Sequence, residues 1–355
     1  MRVAFRVDSS TSIGSGHIMR CLVLAEALRR AGDETIFVSR NLPGNLIGLV
    51  RASGHTIELI NTSPSNDEFE IDEDARQTLV TLARSRDLDW MVVDHYQIDE
   101  RWENRIRDRA RCVLAIDDLA DRKHACDVLL DSGYYEHPDV RYEGLVPPGC
   151  VLLQGPRYAL LRPEFLEARR RARPRDGSVR RILVFFGGSD PTNETSLALE
   201  GLRRVSPGGI VVDVVIGSSN PHVREVSRQY GSVPSAQLHV QTDAMASLME
   251  AADLSLGAGG VAAWERCAVG LPSIVTVTAA NQLESMHQLA ARESILLAGA
   301  RSEVTADTYA ALVESALRNP SVLRLLSKRA SDVMNGCERG VEQCAAIMRR
   351  KVNGD

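Results

Sequence analysis

Short runs of consecutive apolar residues alternate along the chain with stretches in which apolar positions recur every three or four residues. "RVAFRV" is the first run. The segment after it sets Ile18, Leu22, Ala25 and Leu28 on one helical face, starting near His17 and stopping at Gly32. "ETIFVSR", "HTIELI", "DWMVVDHY", "CVLAIDD", "DVLLDS" and "CVLLQG" continue the series as strands. Their Val, Ile and Leu runs are nearly unbroken rather than alternating with polar residues, as in parallel strands covered on both faces. The pattern predicts an α/β sheet with crossover helices.

The rhythm breaks at 166–181, "LEARRRARPRDGSVRR", where seven arginines accompany Pro174 and Gly177. This reads as a helix running into a solvated connector, since no aromatic residues interleave with the arginines as they do in a nucleic-acid groove. Alternation then resumes with "RILVFFGG", "IVVDVVIG", "LHVQ", "LSLGAGG" and "SIVTVT", followed by a helical tail with a break near Asn335-Gly336. Two Rossmann-like halves are expected, 1–165 and 181–355, joined by a linker at 166–180, with the C-terminal helices in the second half. Open α/β sheets bind ligands at the carboxyl ends of their strands, so both halves are expected to turn those loops toward a central cleft.

Composition narrows the class. A chain of 355 residues with 44% hydrophobic and 25% charged residues is an ordinary soluble protein too long for one small core. A formal charge of −5 gives no support to nucleic acid as a partner. Seven cysteines, odd in number and without C-x-x-C spacing, suggest reduced thiols and a cytoplasmic setting, with Cys267 and the others as small buried residues. No apolar run approaches the roughly 18 residues of a membrane span, and "MRVAFRVDSS" lacks a signal-peptide core. No coiled-coil seam marks an oligomeric state.

Three strand-to-helix junctions carry candidate chemistry. In the first, Gly14 and Gly16 let backbone approach a ligand, and the helix start offers free N–H groups. A dinucleotide fingerprint needs a third glycine at position 19, which is Met19; Ser39-Arg40 at the end of the second strand keeps an NADP-like reading open. His17 stands on this junction, where an imidazole that titrates near neutrality can accept a proton; otherwise it is structural. The second junction, "FFGGSDPTNET", has Gly187, Gly188 and Ser189 for a phosphate or sugar contact, with Asp190 as helix cap and Pro191 at the first helical position. The third, "GAGGVAAWERCAVGLPSIVTVTAANQ", is the most specific. Gly257, Gly259 and Gly260 open a helix N-terminus suited to a pyrophosphate, Glu265 is placed to accept both hydroxyls of a ribose, and Asn281-Gln282 open the next loop.

Asp94-His95-Tyr96 and Asp117-Asp118 close strands of the first half and are candidates for the sugar side. Adjacent residues on an extended segment point apart, so the two aspartates suit loop hydrogen bonds better than a metal, and no metal or cofactor is expected.

Two Rossmann-like halves with G-x-G-H in the first and G-x-G-G…E…N-Q in the second resemble the GT-B architecture. The second stretch is similar to the donor site of the transferase that adds N-acetylglucosamine during peptidoglycan assembly. More specifically, "FRVDSSTSIGSGHIMRCLVLA", "VVDHYQIDERWE", "IDDLADRKHACDVLLD", "GPRYALLRPEF", "FFGGSDPTNET" and "GAGGVAAWERCAVGLPS" resemble the UDP-2,4-diacetamido-2,4,6-trideoxy-β-L-altropyranose hydrolases of pseudaminic acid biosynthesis, over about residues 1 to 290. The resemblance implies inverting, metal-free cleavage of the sugar C–O bond with release of UDP. By it, His17 is the base, Glu265 holds the ribose, the loop 257–260 holds the pyrophosphate, and Asn281 and Gln282 reach sugar or phosphate. Ser132-Gly133 stand where the family is expected to carry Gln-Asn, which leaves the accepted sugar open. A GT-B transferase using a UDP-N-acetylated sugar, a hydrolysing 2-epimerase and a non-catalytic nucleotide-sugar binder are the alternatives.

Overall fold

The structure is a computed structural model, and it describes residues 1–60, 69–83, 86–206 and 208–354. The chain forms two compact units, one of Met1–Leu160 with the chain end from Glu338, the other of Leu161–Cys337.

The first unit is built on seven parallel strands: β1 (Arg2–Val7), β2 (Glu34–Arg40), β3 (Thr56–Ile60), β4 (Leu88–Asp94), β5 (Ala110–Ile116), β6 (Val128–Asp131) and β7 (Val151–Gln154). Their order is β3-β2-β1-β4-β5-β6-β7. Successive residues of one strand feed opposite faces. Val3, Phe5 and Val7 join the core on one side of the sheet with Trp90, Val92 and Leu114, while Ala4 joins Met91, Val93 and Val113 on the other. Both faces are covered, which is why the apolar runs are continuous. The helix Gly16–Arg30 buries Ile18, Leu22, Ala25 and Leu28 as the periodicity predicts, with full burial of each Ile or Leu contributing about 1.5–3 kcal/mol.

The second unit has six parallel strands: β8 (Arg181–Phe185), β9 (Val211–Ile216), β10 (Ala236–Val240), β11 (Leu254–Ala258), β12 (Ser273–Val277) and β13 (Leu296–Ala300), in the order β10-β9-β8-β11-β12-β13. Strand β13 does not stand out in the apolar pattern. Its sequence "LLAGA" carries Gly299 at φ +127°, and its register against β12 slips between Val275 and Thr276.

The division differs from the expected one in two places. The helix Pro163–Arg171 belongs to the second unit, where Phe165 and Ala168 pack with Leu183, Met249 and Leu271. The final helix Gly340–Asn353 belongs to the first. Val341, Cys344, Ala345 and Met348 enter its core, Trp90 donates its indole N–H to the Met348 carbonyl at 3.1 Å, and Arg349 pairs with Asp33 at 2.6 Å. An amphipathic helix goes where its apolar stripe is matched, and here the match lies far away in sequence.

The arginine-rich stretch is more than a solvated connector. Arg175 is turned inward and donates to the carbonyls of Met249, Ala252, Val269 and Gly270, joining the ends of the helices Met245–Ala251 and Val261–Ala268. Carbonyls at helix C-termini lack partners within the helix, and a cation there is favourable.

Both strand orders reverse once, between β1 and β4 and between β8 and β11. In open α/β sheets this is where the loops leave a crevice for ligand. The sequence candidates cluster at those two points.

Candidate functional site

Asp94 ends β4 directly beside Val7, the last residue of β1. The chain after β1 turns through residues 8–15, with Gly14 at φ +82° donating its N–H to the Ser10 carbonyl. It enters its helix at Gly16, so His17 lies on the first turn above the end of β4. His17 Nδ1 and Asp94 Oδ1 are 2.5 Å apart. Arg20, one helical turn beyond His17, straddles the same carboxylate through Nε at 2.6 Å and Nη2 at 2.7 Å. Burial by itself raises the Asp94 pKa, but the charges and hydrogen bonds of Arg20 and His17 hold it well below the usual carboxylate range. An ionised Asp94 makes Nδ1 the donor, which leaves Nε2 as an acceptor. The Tyr96 ring stands edge-on to the imidazole, with centroids 4.7 Å apart.

The network continues along the strand ends. Arg20 Nη1 lies 3.4 Å from Asp118 Oδ2, which also accepts from the Tyr96 hydroxyl at 3.3 Å. Asp117 points the other way, as adjacent residues should, accepting from the Ala120 N–H and the Tyr142 hydroxyl. Tyr142 reaches Asp131 too, at 2.9 Å. Burial pushes the Asp131 carboxyl up to about 7, against the Gly133 N–H and the Arg141 charge. Gly133 itself leaves room for Tyr135: a Cβ there would lie 2.3 Å from the tyrosine ring.

Asp94, His95 and Tyr96 are not one group. His95 turns away from His17 into a buried cluster, with Nε2 3.3 Å from Asp8 and its ring stacked on Phe69. Asp8 is also held by Arg6, at 2.7 and 3.0 Å, and by Arg40, whose Nε and backbone N–H both donate to it. These bonds pin the start of the loop that carries His17. They also commit the Arg40 guanidinium, the group on which an NADP-like reading depends.

In the second unit, Gly187, Gly188 and Ser189 follow β8, and the Gly188 carbonyl accepts from the Gly217 N–H at 2.9 Å. The helix here begins at Glu194, three residues later than Pro191 suggests, because Asp190 and Asn193 both hold positive φ. Asp190 still caps it, its carboxylate accepting from the N–H groups of Glu194 and Thr195.

The loop Gly259–Gly260 follows β11, beside the end of β8, and leads into the helix Val261–Ala268, which has no side-chain cap. Its first N–H groups are therefore available to an anion. Asn281 and Gln282 form a single 3-10 turn, Ala280–Gln282, and Gln282 Oε1 accepts from the Thr278 N–H and hydroxyl. Gln282 lies against the glycine loop: a Cβ on Gly259 would come within 2.8 Å of its Oε1. Glu265 is buried, and Arg162 donates to its Oε1 from Nε at 3.1 Å and Nη2 at 3.0 Å. Burial raises the Glu265 pKa, and the Arg162 charge opposes that rise.

Arg20 and Arg162 lie within stretches quoted for the resemblance but are not among the candidate site residues read from the sequence. Arg20 has a legible signal, since residues three apart on a helix share a face. The pairing of Arg162 has none, because its partner lies 103 positions away. Among the described residues no His, Cys, Asp and Glu side chains gather as a metal site, and no helix is long and apolar enough to cross a membrane.

No family model matches the chain. It is 28% identical over 250 residues, 70% of this chain and 81% of the other, to the UDP-2,4-diacetamido-2,4,6-trideoxy-β-L-altropyranose hydrolase of Campylobacter jejuni. It is 24% identical over 355 residues, 98% of both chains, to the spore coat polysaccharide biosynthesis protein SpsG of Bacillus subtilis. The fold is that of MurG from Acinetobacter baumannii, with a TM-score of 0.64 at 13% identity over 98% of this chain and 99% of that one. It is equally that of the glycosyltransferase VinC in complex with dTDP, at 0.63 and 13% over the whole of both chains. The architecture is GT-B, and the resemblance read from the motifs is matched by the similarity to the named Campylobacter jejuni hydrolase.

Proposed function

We propose that the chain is a nucleotide-sugar enzyme that hydrolyses UDP-2,4-diacetamido-2,4,6-trideoxy-β-L-altropyranose to the free sugar and UDP, the step this activity supplies in pseudaminic acid biosynthesis. The similarity to the Campylobacter jejuni hydrolase supports the substrate class. The observation that carries the chemistry is the His17–Asp94 pair with Arg20 fixed beneath it.

In this reading His17 Nε2 takes a proton from a water molecule while the water oxygen bonds to the anomeric carbon. The C1–O bond to the β-phosphate breaks, its electron pair leaves with UDP, and the centre inverts. Asp94 keeps the imidazole in the tautomer that accepts, and its charge stabilises the imidazolium that forms. Negative charge growing on UDP is met by the uncapped helix start after Gly260. In the second unit Glu265 accepts the ribose hydroxyls, while Gly187, Gly188, Ser189, Asn281 and Gln282 contact phosphate or sugar.

The solved relatives of this fold include glycosyltransferases, which gives a second reading in which the same donor passes its sugar to an acceptor hydroxyl. UDP release from the named substrate, followed with no acceptor and with EDTA present, tests the choice. Release by the wild type and its loss in H17N, with UDP binding retained, supports metal-independent hydrolysis. UDP release only when an acceptor alcohol is added overturns it in favour of transfer.

A further inference from the structure

Arg266 is 1% exposed and lies directly beneath the glycine loop of the second unit. Its Nη2 donates to the Ala258 carbonyl at 2.5 Å, while Nε and Nη1 have no hydrogen-bond partner among the described residues. The space it fills is made by Gly257. A Cβ there would stand 2.7 Å from Nη1 and 2.4 Å from the Phe185 carbonyl, so this glycine makes room for the guanidinium rather than for a ligand. The guanidinium thus lies against the carboxyl end of β11, at the uncapped start of the helix Val261–Ala268.

Among the described residues no carboxylate pairs with it. The neighbouring Glu265 is engaged by Arg162. Burial pulls the Arg266 pKa down to about 10, with the Cys267 and Glu265 charges opposing, so the group is still a cation at neutral pH. A buried cation with no carboxylate bonded to it is a cost to the folded chain, and an isosteric apolar residue in such a place is often neutral or stabilising. The arrangement makes sense when something anionic arrives. Arg266 also fixes the peptide that begins the loop. The Ala258 carbonyl is bound to Nη2, and the Gly259 N–H on the same peptide donates to the Thr276 carbonyl at 3.1 Å. With that peptide locked, the N–H groups that follow it keep one direction.

We propose that Arg266 is a positioning residue whose charge, bonded to no carboxylate, is answered by the diphosphate of the bound nucleotide, so that it favours the diphosphate over the nucleoside. This rests on the reading of the glycine loop as the nucleotide site. The guanidinium acts through the loop and through its field, which is strong in a poorly solvated setting.

The test is binding of UDP and of uridine by calorimetry to wild type, R266M and R266K, with melting temperatures of the unliganded proteins. R266M is expected to bind UDP about tenfold or more weakly, to leave uridine affinity within twofold, and to melt no lower than wild type. R266K keeps a charge and should recover most of the preference for UDP. Equal losses for UDP and uridine, or a Lys variant no better than the Met variant, overturn the proposal and make Arg266 structural. If R266M does not fold, the argument from a charge bonded to no carboxylate is contradicted as well. Wild-type protein that binds UDP no better than uridine overturns the nucleotide-site reading itself, which sets that failure apart from one confined to Arg266.

Discussion

His17 Nδ1 and Asp94 Oδ1 meet at 2.5 Å across 77 residues of sequence, one on the first turn of a helix and the other at the end of the strand beside it. The contact settles which nitrogen of the ring faces outward. Replacing Asp94 by Asn removes the charge and lets the ring adopt the other tautomer. D94N should lower kcat by about 10²- to 10⁴-fold while changing the dissociation constant of UDP by less than threefold. A D94N enzyme with wild-type kcat contradicts the assignment.

Arg20 completes that pair from below. Its removal leaves the buried Asp94 carboxylate without its guanidinium counter-charge, and losing one partner of a buried ion pair costs about 3–5 kcal/mol. R20M should therefore be less stable by about 3 kcal/mol in urea denaturation. The double variant D94N/R20M should be less destabilised than the sum of the single changes, because both act on one contact. Strict additivity rules out the coupling.

Asp131 is expected to make stability depend on pH. Its carboxyl, raised mainly by burial to about 7, favours the proton in the folded chain, whereas an unfolded aspartate titrates near 3.9, at about 3.9 in model peptides. The sign follows: the contribution is fully present below about pH 4 and is lost as pH rises to about 7, at up to about 1.4 kcal/mol per pH unit. Urea denaturation of wild type and D131N at intervals between those limits measures it. The wild type should lose ground to D131N as pH rises; parallel curves contradict the account.

Glu265 and Arg162 form the matching pair in the second unit. If Glu265 accepts ribose hydroxyls, E265Q should weaken UDP by about tenfold, in keeping with about 1.5–3 kcal/mol for a hydrogen bond to a charged group. Inorganic pyrophosphate has no ribose, so its affinity should hardly change. An equal loss for both ligands assigns Glu265 to packing alone.

Much of this was open to a reader of the sequence, for physical reasons. Parallel strands buried on both faces announce themselves as unbroken apolar runs, and strand-to-helix glycines mark places where backbone meets ligand. His17 and the loop 257–260 are legible on those grounds. What escapes is pairing across distance. Asp94 is visible only as a strand-end carboxylate until the order β1-β4 sets it under His17. His95 looks like its companion, yet the next side chain along an extended segment faces the other way, toward Asp8. The final helix, expected with the second half from its place in the chain, shows its place on the first unit only when Trp90 and Met348 are seen together. Arg266, inside an amphipathic helix, passes for a surface charge until its burial is known.

The central claim is carbon–oxygen cleavage by a water that His17 activates. The direct measurement is to incubate the protein with UDP-2,4-diacetamido-2,4,6-trideoxy-β-L-altropyranose in ¹⁸O-water and locate the label by NMR. The account predicts ¹⁸O at C1 of the released sugar, none in UDP, and no turnover by H17N. Label in the phosphate of UDP moves the attack to phosphorus and contradicts it.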